Sequence, residues 1–244
     1  MRNTGIFFIL AFFSAFCIFI ILTTSEFHKT RSAPFYLRLD PASTLIRIYS
    51  HSIDDISTLK QAHSFVAVSG LKVLAVCNGG IFDENFQPLG LLVQNGQVCH
   101  ELNQDIGNGN FFLAPNGVFF IRGKTPEIMP TSKYAKLRIS PDWAIQSGPL
   151  LVVDAKVNNL LPNNPKSKYT RNGIGVDENN NVILLFAPDP VSLYDFAVYA
   201  RDTAKARHAL YLDGAVSGLL TDYCSININR EYATIILFAA LQHR

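Results

Sequence analysis

Three turns in this sequence combine residue types that could hold an anion and move a proton. The first, Asn78-Gly79-Gly80-Ile81-Phe82, follows the apolar run Val73–Cys77. Its two glycines could take positive φ and turn bare amide N–H groups outward, a concavity suited to an anion. Taken alone, it reads as a plain tight turn before it reads as a site. The second, Gln146-Ser147-Gly148-Pro149, offers Ser147 as a nucleophile or a ligand contact, without a Gly-x-Ser-x-Gly elbow around it. The third, Tyr211-Leu212-Asp213-Gly214-Ala215-Val216-Ser217-Gly218, sets a carboxylate at the end of a buried strand and follows it with small residues. Such an aspartate either serves chemistry or caps its own turn. One cation joins them: Arg171, in Arg171-Asn172-Gly173, could fork onto two phosphate oxygens or pair with a surface carboxylate. His63, His100 and His208 show no metal-ligand spacing, so neither a metal nor a cofactor is expected. Asp195, in Tyr194-Asp195-Phe196, reads as a satisfied helix residue and not as a base.

These turns need a rigid frame, and the hydrophobic pattern supplies one. Short apolar runs separated by turn signals outnumber helical stretches. Phe35–Asp40 and Leu45–Tyr49 read as a hairpin across Asp40-Pro41-Ala42-Ser43. Asn95-Gly96 joins Leu89–Gln94 to Gln97–Leu102, and Asn116-Gly117 is expected to do the same between Phe111–Ala114 and Val118–Arg122. Gly173–Asp177 and Val182–Phe186 flank a polar Glu178–Asn181 turn, and Leu210–Asp213 and Ala233–Ala240 are further strands. Two helices stand out. One covers Asp55–Ser69, with Asp54, Asp55 or Ser57 as cap and Gly70 as stop; the other covers Val191–Arg207, entered at Asp189-Pro190. The pattern predicts an α+β fold with a large mixed β-sheet and flanking helices.

The chain has 244 residues, of which 48% are hydrophobic and 16% charged, with a formal net charge of +2. That bounds one sizeable core and leaves no clustered Lys/Arg footprint for nucleic acid. Arg2 precedes an apolar run from Gly5 to Leu22, which reads as a signal peptide or a membrane anchor within residues 1–25. Thr23 and Ser25 suit a cut after Ser25, whereas Phe16 before Cys17 rules against lipidation. Residues 26–34 form a polar linker, and 35–244 one domain. The expected location is periplasmic or secreted, or tethered to the inner membrane by an uncleaved segment. Outside the segment, Cys77 and Cys99 are the better pair for a disulfide, although each cysteine reads first as a small buried hydrophobe.

Asn78-Gly79-Gly80-Ile81-Phe82, Pro88-Leu89-Gly90-Leu91, Gly109-Asn110-Phe111-Phe112, Gln146-Ser147-Gly148-Pro149, Arg171-Asn172-Gly173-Ile174-Gly175-Val176 and the Tyr211–Gly218 turn occur in one order. That ordered set resembles the phosphodiester glycosidase family, closest to a bacterial branch, over roughly residues 35–220. The resemblance implies hydrolysis of a sugar-1-phosphodiester at the anomeric carbon and a carbohydrate or phosphosugar ligand. It implies Asp213 as base or electrostatic stabiliser, Arg171 with the Gly79 and Gly80 amides as phosphate donors, and Asn78 orienting the substrate. Phe82, Asp83, Gln146, Ser147, Gly148, Asn172, Gly214 and Ser217 would line the ligand, with Glu84 a reserve carboxylate beside Asp83. Family enzymes usually read Asp-Gly-Gly-Gly-Ser where this chain has Asp213-Gly214-Ala215-Val216-Ser217. That departure keeps open a protein that binds an envelope glycan without cleaving it. A reporter that is active only outside the cytoplasm, fused after Leu22, is expected to be active; activity confined to a cytoplasmic reporter would refute export.

Overall fold

The computed structural model describes residues 33–161 and 167–241. The apolar run and its signal-or-anchor reading lie outside them. Among the described residues, no helix is long and apolar enough to cross a membrane.

The chain opens with β1 (Phe35–Leu39) and β2 (Thr44–Ser50), a short helical turn, helix α1 (Leu59–Ala67) and β3 (Val73–Asn78). It continues through β4 (Leu92–Gln94), β5 (Gln97–His100), β6 (Gly117–Arg122), β7 (Thr125–Pro130), β8 (Trp143–Ser147), β9 (Leu150–Val153) and β10 (Lys156–Val157). The last third holds β11 (Tyr169–Asp177), β12 (Val182–Val191), helix α2 (Leu193–Asp202), β13 (Ala206–Tyr211), β14 (Leu219–Thr221), β15 (Cys224–Ile226) and β16 (Thr234–Ala240). The strand-rich α+β expectation holds. The strands form three sheets, ordered β1-β12-β11-β13-β9-β10, β15-β14-β3-β16-β2 and β5-β4-β8-β6-β7. Every pairing between these strands is antiparallel.

The inner faces of all three sheets share one apolar cluster, in which Ile48, Cys77, Phe119, Ile145, Leu184, Leu210 and Phe238 meet. Each outer face has its own cover. Phe196, Ala197 and Ala200 of α2 pack on the six-stranded sheet. Leu59, Ala62 and Val66 of α1 pack on the sheet of β3 and β16. Tyr134 and Ile139 close the third sheet. Strands covered on both sides lose the in–out alternation and become continuous apolar runs, as Val182–Phe186 shows.

Several local expectations are corrected. β1 and β2 do not form a hairpin. The Asp40 turn closes, with the Ser43 amide 3.1 Å from Asp40 O and the Ala42 amide 2.8 Å from Asp40 Oδ1. The chain then changes sheets there, β1 pairing with β12 and β2 with β16. Asn116-Gly117 is not a hairpin turn either. Pro115 just before it lacks an N–H and restricts Ala114, and residues Asn110–Phe112 form a 3₁₀ turn. The hairpin falls at Gly123-Lys124, between β6 and β7, where Gly123 takes φ 60°.

Helix α1 starts at Thr58, not at Asp54, Asp55 or Ser57. Thr58 Oγ1 accepts the Gln61 amide at 3.1 Å and Gln61 Oε1 accepts the Thr58 amide at 2.9 Å, a reciprocal capping box. Asp189-Pro190 still belongs to β12, and α2 is capped by Ser192, whose Oγ accepts the Asp195 amide at 3.0 Å. Cys77 and Cys99 are not joined, each keeping its thiol, so the Cys77–Cys99 pair is not formed. Thr58→Ala is expected to cost about 1 kcal/mol in urea unfolding, with Thr58→Ser close to wild type; an unchanged midpoint in Thr58→Ala would contradict the cap.

Candidate functional site

The ends of β3, β11 and β13 converge on one buried amide. Asn78, 1% exposed, closes β3. Its Nδ2 donates to Asp213 O at 3.0 Å and to Gly79 O at 3.3 Å. Its Oδ1 accepts from Asn172 Nδ2 and from the Gly218 amide, each at 2.9 Å. An asparagine side chain has four such bonds to make, two given and two taken. All four are used here, so Asn78 positions the Asp213 turn and does not reach out to a substrate hydroxyl. Asn172 continues the chain, its Oδ1 lying 3.3 Å from Ser217 Oγ, which also donates to Gly214 O at 3.0 Å. Two backbone bonds lock the assembly: the Asp213 amide to Gly79 O at 3.2 Å and the Leu212 amide to Asn172 O at 3.2 Å.

Asp213 is 9% exposed, and burial pushes its carboxyl up to about 6. The Ala215 amide, donating to Oδ1 at 3.2 Å, and the charge of Arg230 pull only partly the other way. Oδ2 takes no hydrogen bond among the described residues. The carboxylate thus caps its own 3₁₀ turn with one oxygen and keeps the other uncommitted.

Arg171 is placed differently from its expected role as an open phosphate donor. It is 2% exposed. Its Nη1 donates to Tyr211 Oη at 2.7 Å, Nε to Val191 O at 3.2 Å and Nη2 to Ser167 O at 3.2 Å. Its guanidinium sits 5.1 Å from the Tyr169 ring centre and 5.3 Å from that of Tyr211. Alternation explains this: on β11, Arg171 and Asn172 point to opposite faces, and only Asn172 reaches the Asn78 network. Arg171 acts on the turn through Tyr211, whose hydroxyl fills the space where a Cβ on Gly214 would lie.

The Gly79-Gly80 turn also works otherwise than expected. Neither glycine takes φ in the left-handed region. They are glycines because a side chain would not fit: a Cβ on Gly79 would strike Thr234 Oγ1, and one on Gly80 would come within 2.7 Å of Gln146 O. The Gly79 amide is spent on Thr234 O at 2.8 Å. The Gly80 and Ile81 amides take no partner among the described residues and are the donors the turn offers.

Gln146 is a bolt between loops. Its Oε1 accepts the Leu91 and Asn103 amides, each at 3.0 Å, and its Nε2 donates to Asn103 O at 2.7 Å. Gly148 is packed against Phe111 O and the Asn116 side chain. Ser147 Oγ is fully buried and has no hydrogen-bond partner among the described residues. A buried hydroxyl left unpaired costs free energy. Asp83 Oδ1 accepts the amides of Asn85 at 2.8 Å and Gln87 at 2.9 Å and so closes its own loop. Phe82 is half-buried on that loop.

Sequence reading missed Arg230, the exposed cation whose charge acts on Asp213 and on the buried Tyr232. Arg230 lies outside every ordered motif, so spacing held no signal for it. Tyr211 stood within a motif but carried no mark of its bond to Arg171. A cleft of about 450 Å³, lined by Arg47, Lys124, Asp142 and Trp143, lies at the ends of β2 and β8 remote from Asn78. None of the expected site residues lines it.

An "Uncharacterized protein YigE" of Escherichia coli K12 is 38% identical over 146 residues, which are 60% of this chain and 57% of that protein. The match thus spans under two thirds of that relative's length. The zebrafish N-acetylglucosamine-1-phosphodiester alpha-N-acetylglucosaminidase catalytic domain, auto-inhibited by its pro-peptide, superposes with a TM-score of 0.57 at 14% identity over 86% of this chain and 82% of that one. A hypothetical protein from Synechocystis superposes with a TM-score of 0.54 at 12% identity over 87% of this chain and 61% of that one. At such identities these two structures speak for the fold. The profile of the phosphodiester glycosidases matches residues 72–238, from the approach to β3 into β16, and by that match the chain belongs to the phosphodiester glycosidase family.

Proposed function

We propose that this protein hydrolyses a sugar-1-phosphodiester of the cell envelope, outside the cytoplasm. The observation that carries the reading is Asp213: a buried carboxylate, one oxygen of which takes no hydrogen bond among the described residues, lying within the field of the Arg230 charge. The apolar run Gly5–Leu22 supports export to the periplasm or medium, or retention at the inner membrane.

In this reading the phosphodiester lies against the Gly80 and Ile81 amides and the Arg230 guanidinium, donors suited to a dispersed anion. The sugar carbon faces Asp213. Water attacks the anomeric carbon, the bond from that carbon to the bridging oxygen breaks, and its electron pair leaves on that oxygen with the phosphate monoester. Asp213 Oδ2 takes the proton the water loses and later returns it to solvent. A phosphate monoester, with a second pKa of about 6, leaves without a strong general acid. That no carboxyl partner of Asp213 stands out among the described residues therefore fits this substrate class better than an ordinary glycoside. Ser217 and Asn172 hold the turn.

A second reading, binding of a phosphoglycan without cleavage, is favoured by one observation. The Ala215 amide already holds Asp213 Oδ1, and Ala215-Val216 stand where family enzymes usually carry glycines. Turnover of a chromogenic sugar-1-phosphodiester separates the two; calorimetric binding without turnover would establish the second.

For the hydrolase, Asp213→Asn is expected to lower kcat about 10²- to 10⁴-fold with KM within a few-fold. Wild-type kcat should rise with pH on an acid limb near 6, where the carboxyl loses its proton. Full turnover in Asp213→Asn would refute the assignment.

The same group makes a stability prediction of fixed sign. Its folded value of about 6 lies above the ordinary 3.8, so between these values the folded state keeps a proton that the unfolded chain has released. Stability attributable to Asp213 is therefore full below the lower value and falls as pH rises through the higher one. Asp213→Asn should gain roughly 2–3 kcal/mol over wild type at pH 7.5 and nothing at pH 3.5. Urea titrations at both values check this, and equal gains at both would refute it.

The two arginines should also part company. Arg230→Ala is expected to raise KM about tenfold with little change in stability, whereas Arg171→Ala should destabilise the fold by about 2–4 kcal/mol. The reverse pattern would restore Arg171 as the phosphate donor.

A further inference from the structure

The loop that leaves the Gly79-Gly80 turn is built to present aromatic rings. Its base is closed by backbone bonds from Asp83 N to Gln87 O at 3.0 Å and from Leu89 N to Ile81 O at 3.1 Å. Its interior is fixed by Asp83 Oδ1 on the Asn85 and Gln87 amides. Phe86, at its tip, takes φ 57°. For a bulky side chain that conformation is costly and needs a structural or functional reason. The outcome is a pair of stacked rings, Phe82 and Phe86, with centroids 5.3 Å apart and planes 21° apart. His51 meets Phe86 edge-on at 5.7 Å. All three are half-buried, and neither phenylalanine belongs to any apolar core cluster. Packing therefore does not account for them.

Their place in the fold is specific. The His51 amide donates to Ala233 O at 2.9 Å, the next residue's carbonyl, Thr234 O, accepts the Gly79 amide at 2.8 Å, and Gly79 O accepts the Asp213 amide at 3.2 Å. Bonded neighbours thus lead from the ring cluster, past the turn that offers free amides, to the carboxylate. If the anomeric carbon faces Asp213 and the phosphate sits on the Gly80 and Ile81 amides, the group on the far phosphate oxygen is directed toward Phe82 and Phe86.

We propose that Phe82, Phe86 and His51 form a subsite for the leaving side of the phosphodiester, and that the group taken there carries a flat ring face which stacks on the phenylalanine pair. This rests on the hydrolase reading given above and adds the chemical class of the aglycone. The stacking face selects a ring over a short alkyl chain, while His51 borders the pair with a polar edge.

The test compares N-acetylglucosamine-1-phosphodiesters that differ only in the aglycone, 4-nitrophenyl against methyl, with released phosphate monoester measured by added phosphatase. Wild type is expected to show a KM about tenfold lower for the nitrophenyl substrate. Phe86→Leu, which keeps apolar bulk without a ring, should erase that preference and leave kcat and the methyl KM within twofold. No aglycone preference in wild type, or equal losses on both substrates in the folded variant, would overturn the subsite. Should neither substrate turn over, calorimetry with 4-nitrophenyl phosphate and methyl phosphate reads the subsite alone. Tighter binding of the aromatic ester, lost about tenfold in Phe86→Leu, upholds the platform while the hydrolase reading falls; equal or absent binding of both esters removes the platform as well. Thermal unfolding of the variant, expected within a few degrees of wild type, shows that the loop change is local.

Discussion

The four hydrogen bonds of the Asn78 side chain are what the site depends on. Buried polar groups must be paired or they cost more than they return, and this one is paired with backbone and side chain from segments that lie 94, 135 and 140 positions further along the chain. The amide fixes Asp213 through its backbone carbonyl and so makes no claim on the carboxylate. It also couples two sheets, since β3 belongs to one and β11 and β13 to the other. Replacing it by a residue with fewer bonds would leave Asn172, the Gly218 amide and Asp213 O competing for partners in a dry interior.

Burial of Asp213 is the energetic counterpart. An aspartate held at about 6 is kept ionised at neutral pH against the preference of its surroundings. The fold bears this cost because the turn is held from several sides at once. Asn78 takes its carbonyl, Gly79 takes its amide, and Tyr211, itself held by Arg171, packs against Gly214. Arg171 thus contributes more as a strut in the interior than it could as a surface charge. The rings of Tyr169 and Tyr211, centred 5.1 and 5.3 Å from the guanidinium, reinforce that role.

Much of the frame was legible in the sequence because its signals are local. Val73–Cys77 and Val182–Phe186 announce strands covered on both faces, and Asn95-Gly96 fixes a hairpin from two residues. Legibility failed where the answer depended on which distant strand was free to pair. The Asp40 turn looks like a hairpin from within; only the presence of β12 and β16 sends its two arms to different sheets. The site shows the same division. Asn78, Asn172, Asp213 and Ser217 could be picked out by type and order, and the fold gathers them. Their division of labour could not be read, since alternation on β11 decides that Asn172 and not Arg171 faces Asn78. Arg230 could not be found at all, because its relation to Asp213 exists only in three dimensions.

Asn78 is followed by Gly79, the dipeptide in which an asparagine most readily cyclises on its neighbour's nitrogen and loses ammonia. The folded chain denies that reaction its nucleophile, since the Gly79 nitrogen is held on Thr234 O, and denies it rotation, since the Asn78 amide is fixed at both ends. Once unfolded, the chain has neither restraint. Chemical ageing at this dipeptide would turn the hub into a carboxylate that can no longer donate to Asp213 O. The lifetime of the site is therefore set by how seldom the protein opens, and each unfolding exposes the residue that the site can least do without.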